Sequence, residues 1–307
     1  MLFSSLFSCK IQPGSNRHYD DNNPKKVYHL QLNPTDGSQY LYSVTRSTEF
    51  EMEVDGKKVD NKNRSQMEIT YTIGRDSMGD IVLNTVYNKI HLYTKNGDTE
   101  QEEDADKGEE STDPAEKMLG ILKDAKLRVV VSSAGVIKSM QGDEEIKSKL
   151  MAGFSPGDTY AKNIAAQQWD QRIKAGLIKD NMQELFKVFP DSAVHVGDRW
   201  KMSSTQHVDI DLNNNSSFLL KEIVDGTAVI RSEGDITSSQ SSGSLNGTLY
   251  TADLKGKQQG DLEVEVATGM LLTSTSESEI TGTISSMGRD IPVTISISLK
   301  VAGRKLR

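Results

Sequence analysis

One segment of the sequence matches the G-x-S-x-G pattern of a catalytic serine, Gly153-Phe-Ser155-Pro-Gly157. In the nucleophile elbow that this pattern describes, a strand precedes the serine, a helix follows it, and the N–H of the next residue helps to stabilise the oxyanion. Here a helical apolar spacing precedes Ser155, and the next residue, Pro156, has no N–H. We therefore predict a turn between two helices at this position and no nucleophile.

A second segment, Asp209-Ile-Asp-Leu-Asn213, begins like a calcium-binding loop. In such a loop the sixth position is a glycine that allows a sharp turn, and the twelfth is a bidentate glutamate. These positions are occupied by Asn214 and Leu220. The pattern therefore indicates a hairpin tip and not a calcium site.

Other residue types that bind metals and cofactors also lack the spacing that their chemistry needs. No two histidines form the His-x-His or His-x₃-His pair of a zinc site, and the sequence has neither a P-loop nor a dinucleotide-binding glycine motif. We predict no catalytic residue, no metal site and no cofactor, so the chain is not expected to be an enzyme. The five histidines are His18, His29, His91, His195 and His207.

The charge of the chain is concentrated in one segment. The formal net charge is −8, and residues 98–116 carry much of the acidic excess. A protein that binds nucleic acid needs basic clusters to neutralise phosphates, so we exclude a nucleic-acid partner. Residues 98–112 contain almost no apolar side chain, and we predict that they form a solvated loop.

The beginning of the sequence, Met1-Leu-Phe-Ser-Ser-Leu-Phe-Ser-Cys9, resembles the end of a bacterial lipoprotein signal, because the apolar residues Leu6 and Phe7 and a small serine precede the cysteine. In such signals the cysteine becomes lipidated. Phe7 is bulkier than usual at its position, and no lysine or arginine precedes the run. We predict lipidation at Cys9, residues 1–26 as signal and tether, and a lipid-anchored location in the bacterial envelope, on the outer membrane or its periplasmic face. The alternative is an apolar tail with an incidental thiol.

Residues 27–142 have the pattern of a first β half. In residues 39–54, Phe50, Met52 and Val54 alternate with glutamates, as in a strand with one buried and one solvated face. Asp55-Gly56 is a hairpin signal, and residues 67–73 and 81–94 continue the alternation. We expect an antiparallel meander, followed by a helix over 113–122 and a strand over 127–131.

Residues 143–190 form the predicted helical middle, and residues 191–307 the second β half. Residues 143–153 and 158–189 have helical apolar spacing. The spacing is clearest for Met182, Leu185, Phe186 and Phe189. Strict alternation over 293–301 marks the clearest strand of the second half. We predict an α+β fold, mainly antiparallel β, with two curved sheets or half-barrels and a helical segment between them.

Two short parallels between the β halves suggest an internal duplication. An aromatic residue lies three positions after a turn glycine both at Gly37–Tyr40 and at Gly197–Trp200. Residues 127–131 and 262–266 are each followed by a further turn glycine. Short matches of this kind also arise by chance among β sequences, so the duplication is a hypothesis.

The junction between the helical middle and the second β half reads Phe189-Pro-Asp-Ser-Ala-Val-His-Val-Gly-Asp-Arg-Trp200. This segment resembles a family of uncharacterised bacterial lipoproteins of the Bacteroidota type, a domain of unknown function with an FP…VxVGDxW motif. The resemblance implies an envelope location and no established activity. The residues that carry the motif are Phe189, Pro190, Val196, Gly197, Asp198 and Trp200.

Two functional hypotheses follow from these patterns. The first is a binding module, in which an apolar or lipid-like ligand lies in a β half-barrel, a layout that is also distantly similar to lipoprotein carriers. The second is a structural or interaction protein of the envelope, with a protein partner and no small-molecule ligand.

Overall fold

In the computed structural model the following residues are described: 25–54, 56–108, 114–123, 125–153, 157, 159, 162–163, 166, 169–170, 178–186, 188–207, 210–238, 243–245 and 248–307. Predictions for Cys9 and Ser155 fall outside these ranges. The described chain is mainly antiparallel β with a few helices, as the alternation predicted.

Six strands and one helix precede the predicted helical middle, and a second helix lies in its first part. The strands are β1 (Gln39–Val54), β2 (Lys57–Arg75), β3 (Ile81–Asn96), β4 (Thr99–Asp104), β5 (Leu127–Val131) and β6 (Ile137–Gln141). The helices are α1 (Pro114–Lys123) and α2 (Asp143–Ala152), and a 3₁₀ turn covers Ala105–Lys107. Both helices lie where the sequence predicted them.

The elements with bounds in the remaining part of the described chain are a short helix and seven strands. The helix is α3 (Asn181–Phe186). The strands are β7 (Arg199–His207), β8 (Asp211–Val224), β9 (Thr227–Ser238), β10 (Gly243–Leu245), β11 (Thr248–Glu265), β12 (Leu271–Ser286) and β13 (Arg289–Lys305).

All of these strands belong to one antiparallel sheet of thirteen strands. Its order is β6-β5-β3-β2-β1-β13-β12-β11-β9-β8-β7, with β4 paired to β3 and β10 paired to β11. The expectation of two separate sheets is therefore wrong. β1 pairs with β13 from Tyr40↔Lys305 to Met52↔Val293, so the halves join where each would otherwise expose an unpaired edge.

The strand order neither establishes nor removes the predicted duplication. β1 to β6 and β7 to β13 each run as a meander of consecutive strands, with β4 and β10 as side branches. The matching segments, β1 with β7 and β5 with β11, hold corresponding places in the two meanders. Two simple meanders share this order whether or not they share an origin, so the duplication stays a hypothesis.

The predicted solvated loop at 98–112 is wrong for its first part, since Thr99–Asp104 form β4 on β3. A cross-strand lysine compensates part of its charge. Lys95 lies opposite Glu100, with 2.7 Å between Nζ and Oε1. The Nδ1 atom of His91 is 3.7 Å from Oδ2 of Asp104. Opposite charges placed directly across an antiparallel pair stabilise it.

The face of the sheet that α3 contacts is called the inner face. The rings of Tyr42 and Tyr71 lie there and meet Phe186 of α3 in edge-to-face contacts, with centroids 6.1 Å and 5.4 Å apart. The Nδ2 atom of Asn181 donates a hydrogen bond to the sulfur of Met67 at 3.8 Å. Helix, β1 and β2 thus share one packed aromatic core.

Candidate ligand-binding cleft

The inner face carries two separate apolar clusters. Cluster one lies under the helices and includes Tyr42, Tyr71, Phe186, Leu299 and Val301. Cluster two contains no helix residue. Its buried members are Ile210, Leu212, Ile236, Ala252, Leu254, Ile280, Val293, Ile295 and Ile297.

The two clusters share one face of the sheet because of strand periodicity. On β13, Leu299 and Val301 belong to cluster one, whereas Val293, Ile295 and Ile297 belong to cluster two. Alternate residues of a strand point to the same side. A single face therefore changes from a helix-covered apolar region to a second apolar region farther along the strands.

Polar side chains separate the two clusters on β8, β9, β11 and β12. We call this set the polar band. Its members occupy core-facing positions, and four of them are more than nine-tenths buried: Asn214 (5% exposed), Ser216 (8%), Ser232 (4%) and Ser274 (7%). The remaining members, Gln258 and Ser276, are half-buried.

Hydrogen bonds fix part of the polar band. Ser216 Oγ donates to Oδ1 of Asn214 at 3.0 Å, and Nδ2 of Asn214 donates to Oε1 of Gln258. Gly234 leaves room for this arrangement, since a Cβ there would lie 2.7 Å from Asn214 Oδ1 and 2.9 Å from Ser216 Oγ. A larger residue at position 234 would displace both side chains.

A cavity of about 80 Å³ lies between the polar band and residues at and around α3. Asp180, Gln183 and Glu184 line its helical side. The band lines the opposite side, and Val188, Phe218, Leu262 and Leu299 complete the wall. A shallow depression at the β7 edge shares Gln183, Ser204 and Thr205 with this cavity and connects it with the surface. We call the cavity and this entrance the cleft.

Charge in the cleft comes from the helical side. Asp180 directly precedes α3 and Glu184 lies four residues later, so the two carboxylates share one helical face. Arg46 of β1 places Nη1 3.4 Å from Oε1 of Glu184. The pair links α3 to the centre of the sheet.

The predicted junction residues lie beside the cleft and contact residues that line it. Phe189 is buried in cluster one, Val196 packs against the cluster, and Pro190 is half-buried. Trp200 is half-buried rather than fully in the core, and its Nε1 donates to the carbonyl oxygen of Val188 at 3.1 Å. Its ring stacks on Phe218, a cleft residue, with centroids 5.6 Å apart.

Gly197 and Asp198 form the turn that brings the junction onto β8. Gly197 has φ +97°, which favours glycine, and its N–H donates to the carbonyl oxygen of Leu220 at 2.8 Å. Asp198 Oδ2 accepts from the backbone N–H of His195 at 2.7 Å and lies 3.1 Å from its Nδ1. The hydrogen bonds from the backbone and ring of His195 lower the pKa of the Asp198 carboxyl. These roles are structural.

The polar band was not predicted from the sequence, although a signal is present. In β8 the core-facing positions read Leu212, Asn214, Ser216, Phe218 and Leu220, so polar residues interrupt an apolar series. β9 repeats the interruption between Ile230 and Ile236. Polar residues at core-facing positions need a partner or a ligand.

The described part of the chain contains neither a cluster of metal-binding side chains nor a membrane-spanning helix. No group of three or more histidine, cysteine, aspartate or glutamate side chains could hold a metal ion there. Among the helices described, none combines the length and the apolar character that crossing a membrane requires.

The fold and cleft define an antiparallel β protein with helices over part of one sheet face. The model of a family described as "Family of unknown function (DUF6263)" matches residues 78–271. The chain belongs to this family, which agrees with the predicted domain of unknown function. No curated protein sequence matches the chain.

Two solved structures show low similarity to the chain. A lipovitellin structure, titled for lipid–protein interactions, has a TM-score of 0.49 and 10% identity. The alignment covers 88% of this chain, which spans only 25% of the lipovitellin chain. An outer membrane channel from Pseudomonas putida F1 has a TM-score of 0.25 and 5% identity, with 89% and 97% of the two chains covered. These similarities are too low to assign a function.

Proposed function

We propose that this chain is a non-enzymatic binding protein of the bacterial envelope that holds an amphipathic, lipid-like ligand on the inner face of its sheet. The observation that supports the proposal is the polar band, which lies between two apolar clusters on one sheet face. In this proposal a polar head group lies in the cleft, and an apolar chain lies against the half-buried residues at the rim of cluster two. Ligand sites commonly combine apolar walls with a few placed polar groups.

Cluster one is an unsuitable place for the apolar chain. Tyr42 and Tyr71 are fully buried and pack against each other with centroids 5.6 Å apart, while Phe186 contacts both rings. Protein interiors of this kind are close-packed. A chain entering there would have to displace α3.

Cluster two has a rim that an apolar chain can cover. Phe50, Met52, Tyr250, Ile284 and Ile291 are half-buried and pack against its buried members. A glycine in the middle of β11 supports strong curvature here, since a Cβ on Gly256 would lie 2.4 Å from the carbonyl oxygen of Glu279. In this proposal the apolar chain lies along these half-buried rim residues.

The ligand is tested on protein purified from the cells that synthesise it. Extraction with chloroform and methanol, followed by mass spectrometry, is expected to release a single- or double-chain lipid. A pyrene-labelled single-chain lipid is then titrated into the stripped protein. The double variant Phe50→Ser/Met52→Ser should bind it at least about tenfold more weakly, because burial of each side chain contributes about 1.5–3 kcal/mol.

Met78→Ser is the matched control for this experiment. Met78 is 84% exposed in the β2–β3 turn, at the opposite end of β2 from the β1–β2 turn. The Met78→Ser variant should bind the labelled lipid with the same affinity as the wild type. The proposal fails if no lipid is extracted and the labelled lipid binds equally to all three proteins or to none.

The envelope location rests on the lipoprotein-like sequence around Cys9. Cys9→Ser is expected to move the protein from the membrane fraction to the soluble fraction, since an acyl chain contributes about 0.8 kcal/mol per buried CH₂. Immunoblots of fractionated cells and metabolic labelling with an alkyne fatty acid measure the change. An unchanged distribution and unlabelled wild-type protein would show that Cys9 is not an anchor.

The alternative, an interaction protein without a small-molecule ligand, is favoured by the opposite face of the sheet. This outer face forms a trough of about 1020 Å³. Two unbroken rows of polar side chains cross seven strands there. The first row is Lys201, Ser217, Glu233, Gln259, Glu277, Ser298 and Ser47, and the second is Ser203, Asn215, Asp235, Lys257, Glu279, Ser296 and Glu49. A partner recovered from membranes with lipid-free protein would support this alternative.

A further inference from the structure

We infer that copies of this chain associate head to tail, with the edge strand β7 of one copy pairing antiparallel to the edge strand β4 of the next. This contact is independent of the ligand proposed above. Three properties of the two edges lead to it: the direction of their backbone groups, the face that their charged side chains share, and the opposite sign of those charges.

Both strands lie at an edge of the sheet. Among the described strands, β7 pairs only with β8, and β4 pairs only with β3. A groove of about 560 Å³ lies beside residues 198–203 of β7. An edge strand with open backbone groups is a template for pairing with another strand. The charged residues of the two edges are exposed: Glu100 and Glu102 on β4, and Arg199 and Lys201 on β7.

Register determines which backbone groups of β7 point away from the sheet. The N–H of Leu220 donates to the carbonyl oxygen of Asp198 at 3.1 Å, so these two residues form a hydrogen-bonded pair. Hydrogen-bonded and non-hydrogen-bonded pairs alternate along an antiparallel ladder. Arg199 and Lys201 therefore belong to non-hydrogen-bonded pairs with β8. Their N–H and C=O groups are directed away from β8, toward the open edge.

The backbone of β4 is arranged in the same way. The two-residue turn at 97–98 makes Asn96 and Thr99 the hydrogen-bonded pair that closes the β3–β4 hairpin. By the same alternation, Glu100 and Glu102 belong to non-hydrogen-bonded pairs with β3. On both edges the residues whose backbone groups point outward are therefore the residues that carry the charges.

The charged side chains of both edges lie on the outer face. The outer-face row that begins at Lys201 continues from Ser47 across β2 and β3 to Glu102. The row that begins at Ser203 continues in the same way to Glu100. Strand β7 of a second copy can therefore extend both rows. In that register its Lys201 lies opposite Glu102, and its Ser203 lies opposite Glu100.

Charge favours the β4–β7 contact over contacts between identical edges. The same register places Arg199 opposite Asp104, and a shift by two residues places the two bases opposite Glu102 and Glu100. Opposite charges placed directly across a strand pair stabilise it. Pairing of two β4 edges would set acidic residues opposite each other, and pairing of two β7 edges would form no ion pair. Because the favoured contact uses a different edge on each copy, it is heterologous and produces rings or open chains.

The association is tested by sedimentation velocity of the full chain at concentrations up to about 200 µM, because small interfaces are weak. The wild type should form dimers and larger species. Sodium chloride raised from about 0.05 M to about 0.5 M should weaken the association, since salt screens exposed charges. Glu102→Lys and Lys201→Glu should each weaken it at least about tenfold, because each places like charges against each other.

Mixing the two charge-reversal variants gives the sharpest measurement. Each variant keeps one intact edge, β7 in Glu102→Lys and β4 in Lys201→Glu. Neither variant should associate with itself. An equimolar mixture should form a 1:1 dimer and nothing larger, because the two intact edges pair once and leave only altered edges exposed.

Glu277→Lys and Lys300→Glu are the matched controls. Both residues are exposed on the outer face but lie in the middle of the sheet, on β12 and β13. They change the charge of the chain by the same amounts as the edge variants, and both should associate as the wild type does. Thermal unfolding of every variant shows whether it is folded.

Lys201→Pro tests the strand pairing itself. Proline lacks the N–H that points away from β8, and an edge strand tolerates proline at such a position. Lys201→Pro should therefore associate more weakly than Lys201→Ala, which loses only the charge. Glu102→Pro and Glu102→Ala give the same comparison on β4 if Lys201→Pro does not fold.

Four results would overturn the inference. They are a wild type that stays monomeric at every concentration, association that both charge reversals leave unchanged, a mixture of the two variants that forms no dimer, and folded proline and alanine variants that associate equally.

Discussion

Phe186→Ala is expected to lower the free energy of unfolding by about 3–5 kcal/mol, the range for truncating a buried aromatic side chain. Phe186 is fully buried and contacts both Tyr42 and Tyr71 edge-to-face. Its loss leaves a cavity between α3 and the sheet. Denaturant unfolding should show a lower midpoint with an unchanged dependence on denaturant concentration.

Met287→Ala is the control for this substitution, because Met287 is 82% exposed in the β12–β13 turn. Its effect should stay within about 0.5 kcal/mol. A loss below about 1 kcal/mol for Phe186→Ala would mean that α3 is not docked on the two tyrosines. Because α3 also forms one wall of the cleft, that result would weaken the case for the cleft itself.

The second large effect is a loss of stability at alkaline pH that depends on three tyrosines. Burial raises the pKa of Tyr42, Tyr71 and Tyr87 above the ordinary value of 10.0. In the unfolded chain these phenols lose their protons near pH 10, whereas in the folded chain they keep them. The unfolded state therefore binds fewer protons above pH 10, and the free energy of unfolding falls as pH rises.

The sign and size of this effect can be measured directly. The contribution of these groups to the free energy of unfolding is fully present below about pH 9. By pH 11 it falls by about 1.4 kcal/mol for each tyrosine, or about 4 kcal/mol for the three together. Denaturant unfolding at a series of pH values gives the curve. Tyr71→Phe should remove about one third of the loss. A free energy of unfolding that is flat between pH 9 and pH 11 would contradict the burial of these hydroxyls.

Local patterns predicted the elements of this fold well. Alternation over 39–54 and 293–301 predicted β1 and β13, and Asp55-Gly56 predicted the turn between β1 and β2. Side-chain direction repeats every two residues in a strand, so the apolar face is visible in the sequence itself. The first part of the acidic segment was predicted wrongly because the lysine that compensates its charge, Lys95, lies on a neighbouring strand.

The junction from Phe189 to Trp200 was recognised as a structural feature, but the polar band was not. The turn at Gly197-Asp198 uses contacts within a few residues, such as the bond from His195 to Asp198, and short contacts leave a local signature. Ser232 and Ser274 form a cleft with α3 only because strands that are distant in sequence bring them to one place. A serine inside an apolar series carries no information about which helix will cover it.

The sequence by itself determined which side of each long strand is apolar, where the hairpins turn and where the first two helices lie, because these features depend on neighbouring residues. Only the tertiary structure decided that β1 pairs with β13, so that one sheet forms instead of two. It also decided that α3 lies over a polar band between two apolar clusters. Pairing across most of the chain length depends on the whole set of packed faces, and no short segment specifies it.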